Sequence, residues 1–308
     1  MVKKQLTKIF LSGKDVFSDI LGQEKVKHGL KSALLMNRHV IIVGPPGIGK
    51  TTLAKNLAGL LPGKNFVRIQ GSPDLTVEDL LGDIDPIKAM KFGPLSLEAF
   101  TKGKIFKADK GILFFDELNR CPEKLQNALL QVLEEGKATI GSYDVDFDID
   151  FIFLATMNPE DSSTEKLSNV LLDRFDVIYM DYPESVEIEE KIVNEKSEKV
   201  DVKFPEELVK LNVNFIKILR DDDRLSKKPS VRASIGLYER AQSNALLKGK
   251  KTVGFEDIQE AVISVLSHRI ELKPSVKYLK SPVEFIEEEF KKVSSDYEEM
   301  GEKSGEGP

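Results

Sequence analysis

The sequence predicts an α/β fold, a doubly wound parallel sheet, followed by a small all-α domain. Three observations carry this. Residues 40–43, 112–115 and 151–155 are continuous apolar runs without polar alternation, as strands covered on both faces are. The first two lead through a turn into apolar residues at helical spacing, the alternation that builds a parallel sheet. Beyond about Pro183 the strand-like runs give way to helical patterns.

In chain order, residues 1 to about 20 form a short lead-in. Residues 19–24 then open a helical pattern through Val26, Leu30, Leu34 and Leu35. The run Val40-Ile41-Ile42-Val43 is the first strand and passes into a glycine-rich turn; residues 52–58 continue as a helix. Residues 66–69 are a second strand, closed by Gly71-Ser72-Pro73. The third strand, residues 112–115, ends in Asp116-Glu117, and Leu125, Leu129, Leu130 and Leu133 follow at helical spacing. The fourth, residues 151–155, ends at Thr156-Met157-Asn158-Pro159, and residues 177–180 are a fifth. Several helices lie between residues 185 and 269. Ser281-Pro282-Val283-Glu284 reads as a capping box with proline at the first helical position. Val283, Ile286, Phe290, Val293 and Tyr297 then mark one helix face, and residues 301–308 are expected to be disordered. The expected organisation is an α/β core over 1–182, a helical domain over 183–280, and a C-terminal helix and tail over 281–308.

The turn Gly44-Pro45-Pro46-Gly47-Ile48-Gly49-Lys50-Thr51 fits G-x-x-x-x-G-K-[ST], the phosphate-binding P-loop, and Thr52 carries it into the helix. Glycines let the backbone fold tightly, so successive N–H groups face one concavity, and the helix N-terminus adds partial positive charge. Lys50 would reach the β- and γ-phosphates and Thr51 would hold Mg²⁺. The alternative is an ordinary glycine turn opening a helix; the strand before and the helix after favour the phosphate site.

The second half of the site is Asp116-Glu117. The backbone bends where the strand ends, so both carboxylates can reach a nucleotide: Asp116 toward Mg²⁺ through water, Glu117 as the base that deprotonates the attacking water. A solvated acidic strand end is the bland alternative. Asn158 can hold a γ-phosphate or the attacking water without adding charge, or can simply begin an Asn-Pro turn. Arg174, just before the last strand, has a planar cationic fork suited to a phosphate on a neighbouring subunit; a surface ion pair with Asp173 or Asp176 is its other reading. Arg232 opens a helix in the second domain, where it opposes the helix dipole, which suits an external anion; a plain surface arginine is the alternative.

Composition sets bounds. The chain has 308 residues, 41% of them hydrophobic, and a formal net charge of −6, so no broad basic surface drives non-specific DNA binding, although a local basic patch stays open. The single cysteine, Cys121, forbids an intramolecular disulfide and fits a reducing compartment; it is either a reactive thiol or a small packing residue. No apolar run approaches the roughly 18–20 residues of a membrane span. The basic start Met1-Val2-Lys3-Lys4 is followed by Ile9-Phe10-Leu11, too short for a signal-peptide core, so a soluble cytoplasmic protein is expected. His28, His39 and His268 offer no metal-ligand spacing.

These motifs, in this order over residues 19 to about 270, resemble the AAA+ ATPases, and within them the MoxR and magnesium-chelatase branch with its helix-2 insert. GPPGIGKT corresponds to Walker A, ILFFDE to Walker B, ATMNP to sensor 1, LLDRFD to the arginine-finger segment and PSVRA to sensor 2. Residues 72 to about 108 resemble the helix-2 insert, and residues 138–147, with a turn near Gly141-Ser142, the pre-sensor 1 hairpin. RIQGSPDL and DELNR lean toward MoxR proteins, TMNPED and GDID toward the chelatase subunit. The resemblance implies ATP and Mg²⁺ as ligands, a ring of identical subunits, a hexamer, and a protein client, with a von Willebrand factor A domain protein as the partner type. It implies sensor roles for Asn158 and Arg232, with Arg232 acting within its own subunit or across the interface. Ile20, Leu21 and Gly22 fall where relatives cradle adenine. Two other readings stay open: a DNA-directed motor or loader, disfavoured by the acidic balance, and a nucleotide-gated switch with negligible turnover, disfavoured by the presence of Glu117 and Asn158.

Overall fold

Five strands, parallel throughout, make the central sheet in the order β2 (Phe66–Gln70), β5 (Ile112–Asp116), β8 (Ile152–Met157), β1 (His39–Val43) and β9 (Phe175–Tyr179). The computed structural model describes residues 2–61, 66–94, 96–140, 145–159, 161 and 167–304. The chain divides into two units, Met1–Pro45 with Gly49–Asp181, and Pro46–Ile48 with Tyr182–Pro308.

In the first unit the elements are α1 (Val2–Phe10), α2 (Glu24–Leu35), β1 (His39–Val43), α3 (Lys50–Gly59) and β2 (Phe66–Gln70). Then come α4 (Val77–Leu81), β3 (Gly82–Ile84), α5 (Pro86–Phe92), β4 (Phe100–Lys102) and α6 (Lys104–Lys107). The rest are β5 (Ile112–Asp116), α7 (Glu123–Glu135), β6 (Lys137–Ile140), β7 (Val145–Asp148), β8 (Ile152–Met157), α8 (Asn169–Leu172) and β9 (Phe175–Tyr179). The three central strands are apolar because both faces are covered: Ile41, Ile42, Leu113, Phe114, Phe153 and Leu154 are fully buried. β1 is central although it comes first, so the turn after it opens at the C-terminal edge of the sheet, where parallel sheets hold ligands.

The insert between β2 and β5 folds as an antiparallel pair, β3 with β4, joined by α5. Pro86 at the start of α5 and the Asp85 side chain, which accepts from the Ile87 and Lys88 N–H groups, fix that helix. β6 and β7 pair antiparallel, as the expected hairpin requires; its turn, residues 141–144, lies outside the described residues.

The lead-in is more than a connector. Val2–Phe10 is a helix that buries Leu6, and Phe17 behind it is fully buried. Val2, Leu6, Ile9 and Phe10 recur at the i, i+4, i+7, i+8 spacing of a helix, a signal that reading residues 1–20 as a lead-in passed over.

The second unit contains α9 (Val186–Lys196), α10 (Glu206–Asp221), β10 (Leu225–Lys227), α11 (Val231–Leu247), α12 (Phe255–Leu266), β11 (Glu271–Leu272), α13 (Pro274–Lys277) and α14 (Pro282–Ser304). The helices enclose their own apolar core, in which Phe215, Leu237, Ala261 and Leu266 meet. The capping box at α14 forms: Ser281 Oγ accepts from Glu284 N–H and the Glu284 carboxylate accepts from Ser281 N–H. The helix is not a detached tail, because Phe285, Ile286 and Phe290 are buried in that same core. Phe285, rather than the partly exposed Val283, anchors the first turn. The helix also runs on through Ser304, past the expected break at residue 301. Extending a formed helix through Glu298-Glu299-Met300 costs little once it is nucleated, and one glycine does not stop it. Residues 305–308 lie outside the described residues.

A buried ion pair fixes the entry to α11. Arg220 Nη1 and Nη2 donate to the two Glu189 oxygens at 2.5 and 2.8 Å, Ser234 Oγ donates to Glu189, and Arg220 Nε donates to the Pro229 carbonyl at 2.8 Å. Both charged side chains are almost wholly buried. Removing one partner leaves the other charged without water, so Arg220→Met is expected to cost about 3–5 kcal/mol, read as a lowered denaturant midpoint. The double variant Arg220→Met with Glu189→Leu should recover most of that loss.

Candidate functional site

Strand β1 ends at Val43, and the Gly44 N–H donates to the Met157 carbonyl at the end of β8 (3.2 Å), which holds the mouth of the loop against the sheet. Gly47 and Gly49 lie at φ +75° and +103°, backbone that side chains avoid. A Cβ on Gly49 would come within 3.3 Å of Ile20 Cδ1, so Ile20, itself buried, packs on the loop. Beside it Leu21 is half-buried, Gly22 takes φ +68°, and Gln23 Nε2 donates to the Asp181 carbonyl at 2.7 Å. Lys50, at the start of α3, folds back so that Nζ donates to the Gly44 and Pro45 carbonyls at 2.6 and 2.7 Å. The ammonium is thus held inside the loop by two neutral acceptors that a phosphate oxygen can replace.

Next along α3, Thr51 Oγ1 donates to both Asp116 oxygens, at 3.2 and 3.4 Å. The loop hydroxyl and the strand-end carboxylate predicted from separate motifs therefore meet. Asp116 is buried and accepts from two further donors: Thr156 Oγ1 donates to Oδ1 at 2.6 Å and Arg68 Nη2 to Oδ2 at 2.7 Å.

Glu117 supplies the bend. It sits at φ +57°, a left-handed conformation that is costly away from glycine and concentrates at working sites. Its N–H donates to Thr156 Oγ1 at 3.0 Å, and its Oε2 accepts from Gln70 Nε2 at 2.8 Å and pairs with Arg120 Nη1 at 3.0 Å. The neighbouring strand crowds this bend. The Gly71 N–H donates to the Asp116 carbonyl at 2.7 Å, and a Cβ on Gly71 would fall 2.0 Å from the Glu117 carbonyl oxygen, so no larger residue fits.

Asn158 follows β8, half-buried, with its carbonyl accepting from Asn119 Nδ2 at 3.0 Å; nearby, Arg120 Nη2 contacts Asp161 at 2.5 Å. Arg174 is not gathered into this cluster. Its Nη2 pairs with Glu134 of α7 at 2.8 Å, and Asp173 lies at 3.9 Å. Asp176 is taken by Arg38 at 2.9 Å instead. Arg232 belongs to the second unit, exposed in the first turn of α11. Its charge, after burial, helps press the pKa of Arg269 below the usual range, which marks two like charges held close.

Sequence reasoning passed over Arg68, Gln70, Arg120 and Thr156. A signal for two of them was present: Arg68 and Gln70 are polar at alternate positions of a strand, hence on one face, and the β2–β5 register sets Gln70 beside Asp116. Cys121 is a packing residue: it is fully buried, and burial pushes its thiol up to about 11. His39 sits at the other end of the sheet, with Nδ1 accepting from the Phe153 N–H at 3.1 Å; burial first, then Arg38, lowers its pKa to about 4. Among the described residues no group of three His, Cys, Asp or Glu side chains could hold a metal. A hydroxyl and one carboxylate do fit Mg²⁺, which takes one or two protein oxygens and completes its shell from phosphate and water.

The model of the AAA domain (dynein-related subfamily) matches residues 39–175, and that of the AAA lid domain matches residues 227–289. YeaC of Bacillus subtilis (strain 168), described as an uncharacterized protein, is 32% identical over 271 residues, covering 80% of this chain and 82% of that protein. The chain belongs to the AAA family. This AAA chain is also 28% identical to chaperone MoxR1 of Mycobacterium tuberculosis, over 82% of this chain and 73% of that protein. It is 28% identical to a magnesium-chelatase subunit ChlI homolog of Methanocaldococcus jannaschii, over 84% of this chain and 86% of that protein. The parallel central sheet and following helical unit are the AAA+ fold expected from the sequence, and membership implies nucleotide binding and ATPase activity. Among the described residues no helix of this AAA chain is long and apolar enough to cross a membrane.

Proposed function

We propose that this AAA chain is a Mg²⁺-dependent ATPase that works as a ring of its own copies, a hexamer, and uses hydrolysis to remodel or activate a protein client in the cytoplasm. One observation carries the hydrolytic part: Thr51 of the glycine-rich loop faces Asp116 across 3.2 Å, with Glu117 turned out beside it on a left-handed residue. A site built only to bind nucleotide has no need of that second carboxylate.

On this reading the loop of residues 44–52 wraps the phosphates, the N–H groups of residues 47–52 donate to them, and Lys50 leaves its two carbonyls for β- and γ-oxygens. Thr51 and Asp116 would hold Mg²⁺, which when bound neutralises charge across the β- and γ-phosphates. Glu117 takes the proton of the attacking water, while Gln70 and Arg120 hold its carboxylate in place. Asn158 orients that water or the γ-phosphate, Ile20, Leu21 and Gly22 border adenine, and Arg232 answers the nucleotide from the helical lid. We take the lid to run past residue 280 into α14, because Phe285 and Phe290 belong to its core.

Arg174 serves the neighbouring subunit. In a lone chain its guanidinium is held by Glu134, more than half of whose side-chain surface is exposed, so the pair is weak enough to exchange for a phosphate. Arg174→Ala is expected to lower turnover by about 10³-fold or more. Mixing it with Glu117→Gln subunits should restore activity, because each supplies what the other lacks at a shared interface. Phosphate release that stays flat across mixing ratios would remove Arg174 from a neighbour's site.

The similarity to MoxR1, named a chaperone, supports a protein client, and a von Willebrand factor A domain protein is the partner type we infer. The similarity to the ChlI homolog favours a second reading, a motor subunit for metal loading of a partner, through the same ATPase chemistry.

A further inference from the structure

Three donors crowd the Asp116 carboxylate: Thr156 on Oδ1, Arg68 on Oδ2, and the single Thr51 hydroxyl proton shared between the two oxygens. A carboxylate offers about four acceptor sites, so a metal arriving beside Thr51 competes with these donors and gains most if one of them withdraws. The partners differ in their freedom to do so. Thr156 is completely buried, and its Oγ1 also accepts from the Glu117 N–H, so it is locked in place. Thr51 is fixed by α3 and is itself a hard oxygen suited to the metal. Arg68 is different: 46% of its side-chain surface is exposed while the Asp116 side chain is only 10% exposed, so its guanidinium can swing into water. It is also the one cation of the three donors, and two positive charges on one buried carboxylate repel.

We propose that Arg68 is a displaceable counter-ion of the metal position, lying on Asp116 while the metal is away and leaving when a divalent cation arrives. This rests on the reading of Thr51 and Asp116 as the metal position. Arg68 acts here as a positioning and affinity-setting residue that competes with the cation. It keeps a buried carboxylate compensated between turnovers and weakens cation affinity, so that the ion can leave with the spent nucleotide.

The test uses the full chain with a non-hydrolysable ATP analogue and Mn²⁺, whose spin resonance reports bound ion directly. Arg68→Gln should bind Mn²⁺ about fivefold more tightly than the parent, the scale of one half-exposed ion pair. Arg68→Lys, which keeps the charge, should stay within about twofold of it. Analogue affinity in EDTA should be the same for all three. Melting separates competition from a structural role: Arg68→Gln should melt lower than the parent without ligands and at least level with it in the metal–nucleotide complex. Equal or weaker Mn²⁺ binding by Arg68→Gln, or the same melting loss in both states, overturns the proposal while leaving the nucleotide site standing. A parent chain that takes up neither analogue nor ion overturns both.

Discussion

Lys50→Ala will fail to bind ATP at concentrations that saturate the parent chain. The ammonium is already inside the loop, bonded to the Gly44 and Pro45 carbonyls at 2.6 and 2.7 Å, and needs only a short movement to meet phosphate oxygens. Hydrogen bonds to charged groups are worth about 1.5–3 kcal/mol each, so losing two should weaken binding by roughly 10²- to 10⁴-fold. Stability should change little, because both carbonyls can turn to water once the lysine is gone. Titration with a fluorescent ATP analogue measures the first effect, and a melting curve checks the second. A Lys50→Ala protein that binds ATP like the parent would show that the loop is not the phosphate site.

Glu117→Gln should separate binding from chemistry. The amide keeps the shape and can accept from Arg120 or Gln70 as the carboxylate does, so the bend at φ +57° survives. It cannot take a proton from water, and losing a general base costs about 10²- to 10⁴-fold in rate. ATP affinity should be equal to or tighter than that of the parent, while steady-state phosphate release falls by at least 10²-fold. Retained turnover would move the base elsewhere.

The parallel sheet was legible because its central strands are buried on both faces and so read as unbroken apolar runs, and the Thr51–Asp116 meeting was legible because each half has its own local motif. What stayed hidden depends on register. Gln70 reaches Glu117 only because β2 lies beside β5, a pairing between residues 47 apart that no local pattern announces. Thr156 was hidden for the same reason, through the pairing of β8 with β5, while Arg68 was visible as a polar residue on the Gln70 face of its strand but its partner Asp116 was not. Arg174 shows a different limit: the acids written next to it are Asp173 and Asp176, yet its closest partner is Glu134, which α7 carries across from an earlier stretch of chain. The helix Val2–Phe10 was legible and passed over: Val2, Leu6, Ile9 and Phe10 stand at helical spacing, but the segment is short and lies ahead of the motifs.

The most direct test of the central claim, that Glu117 cleaves ATP held by the loop and Asp116, is one single-turnover experiment. Radiolabelled ATP is bound with Mg²⁺ to the parent chain, to Lys50→Ala and to Glu117→Gln, and each sample is quenched over time. The account predicts bound label converted to phosphate in the parent, label retained uncleaved in Glu117→Gln, and no label bound by Lys50→Ala. Cleavage by Glu117→Gln at the parent's rate, or a parent chain that binds ATP and never cleaves it at any protein concentration, would contradict it.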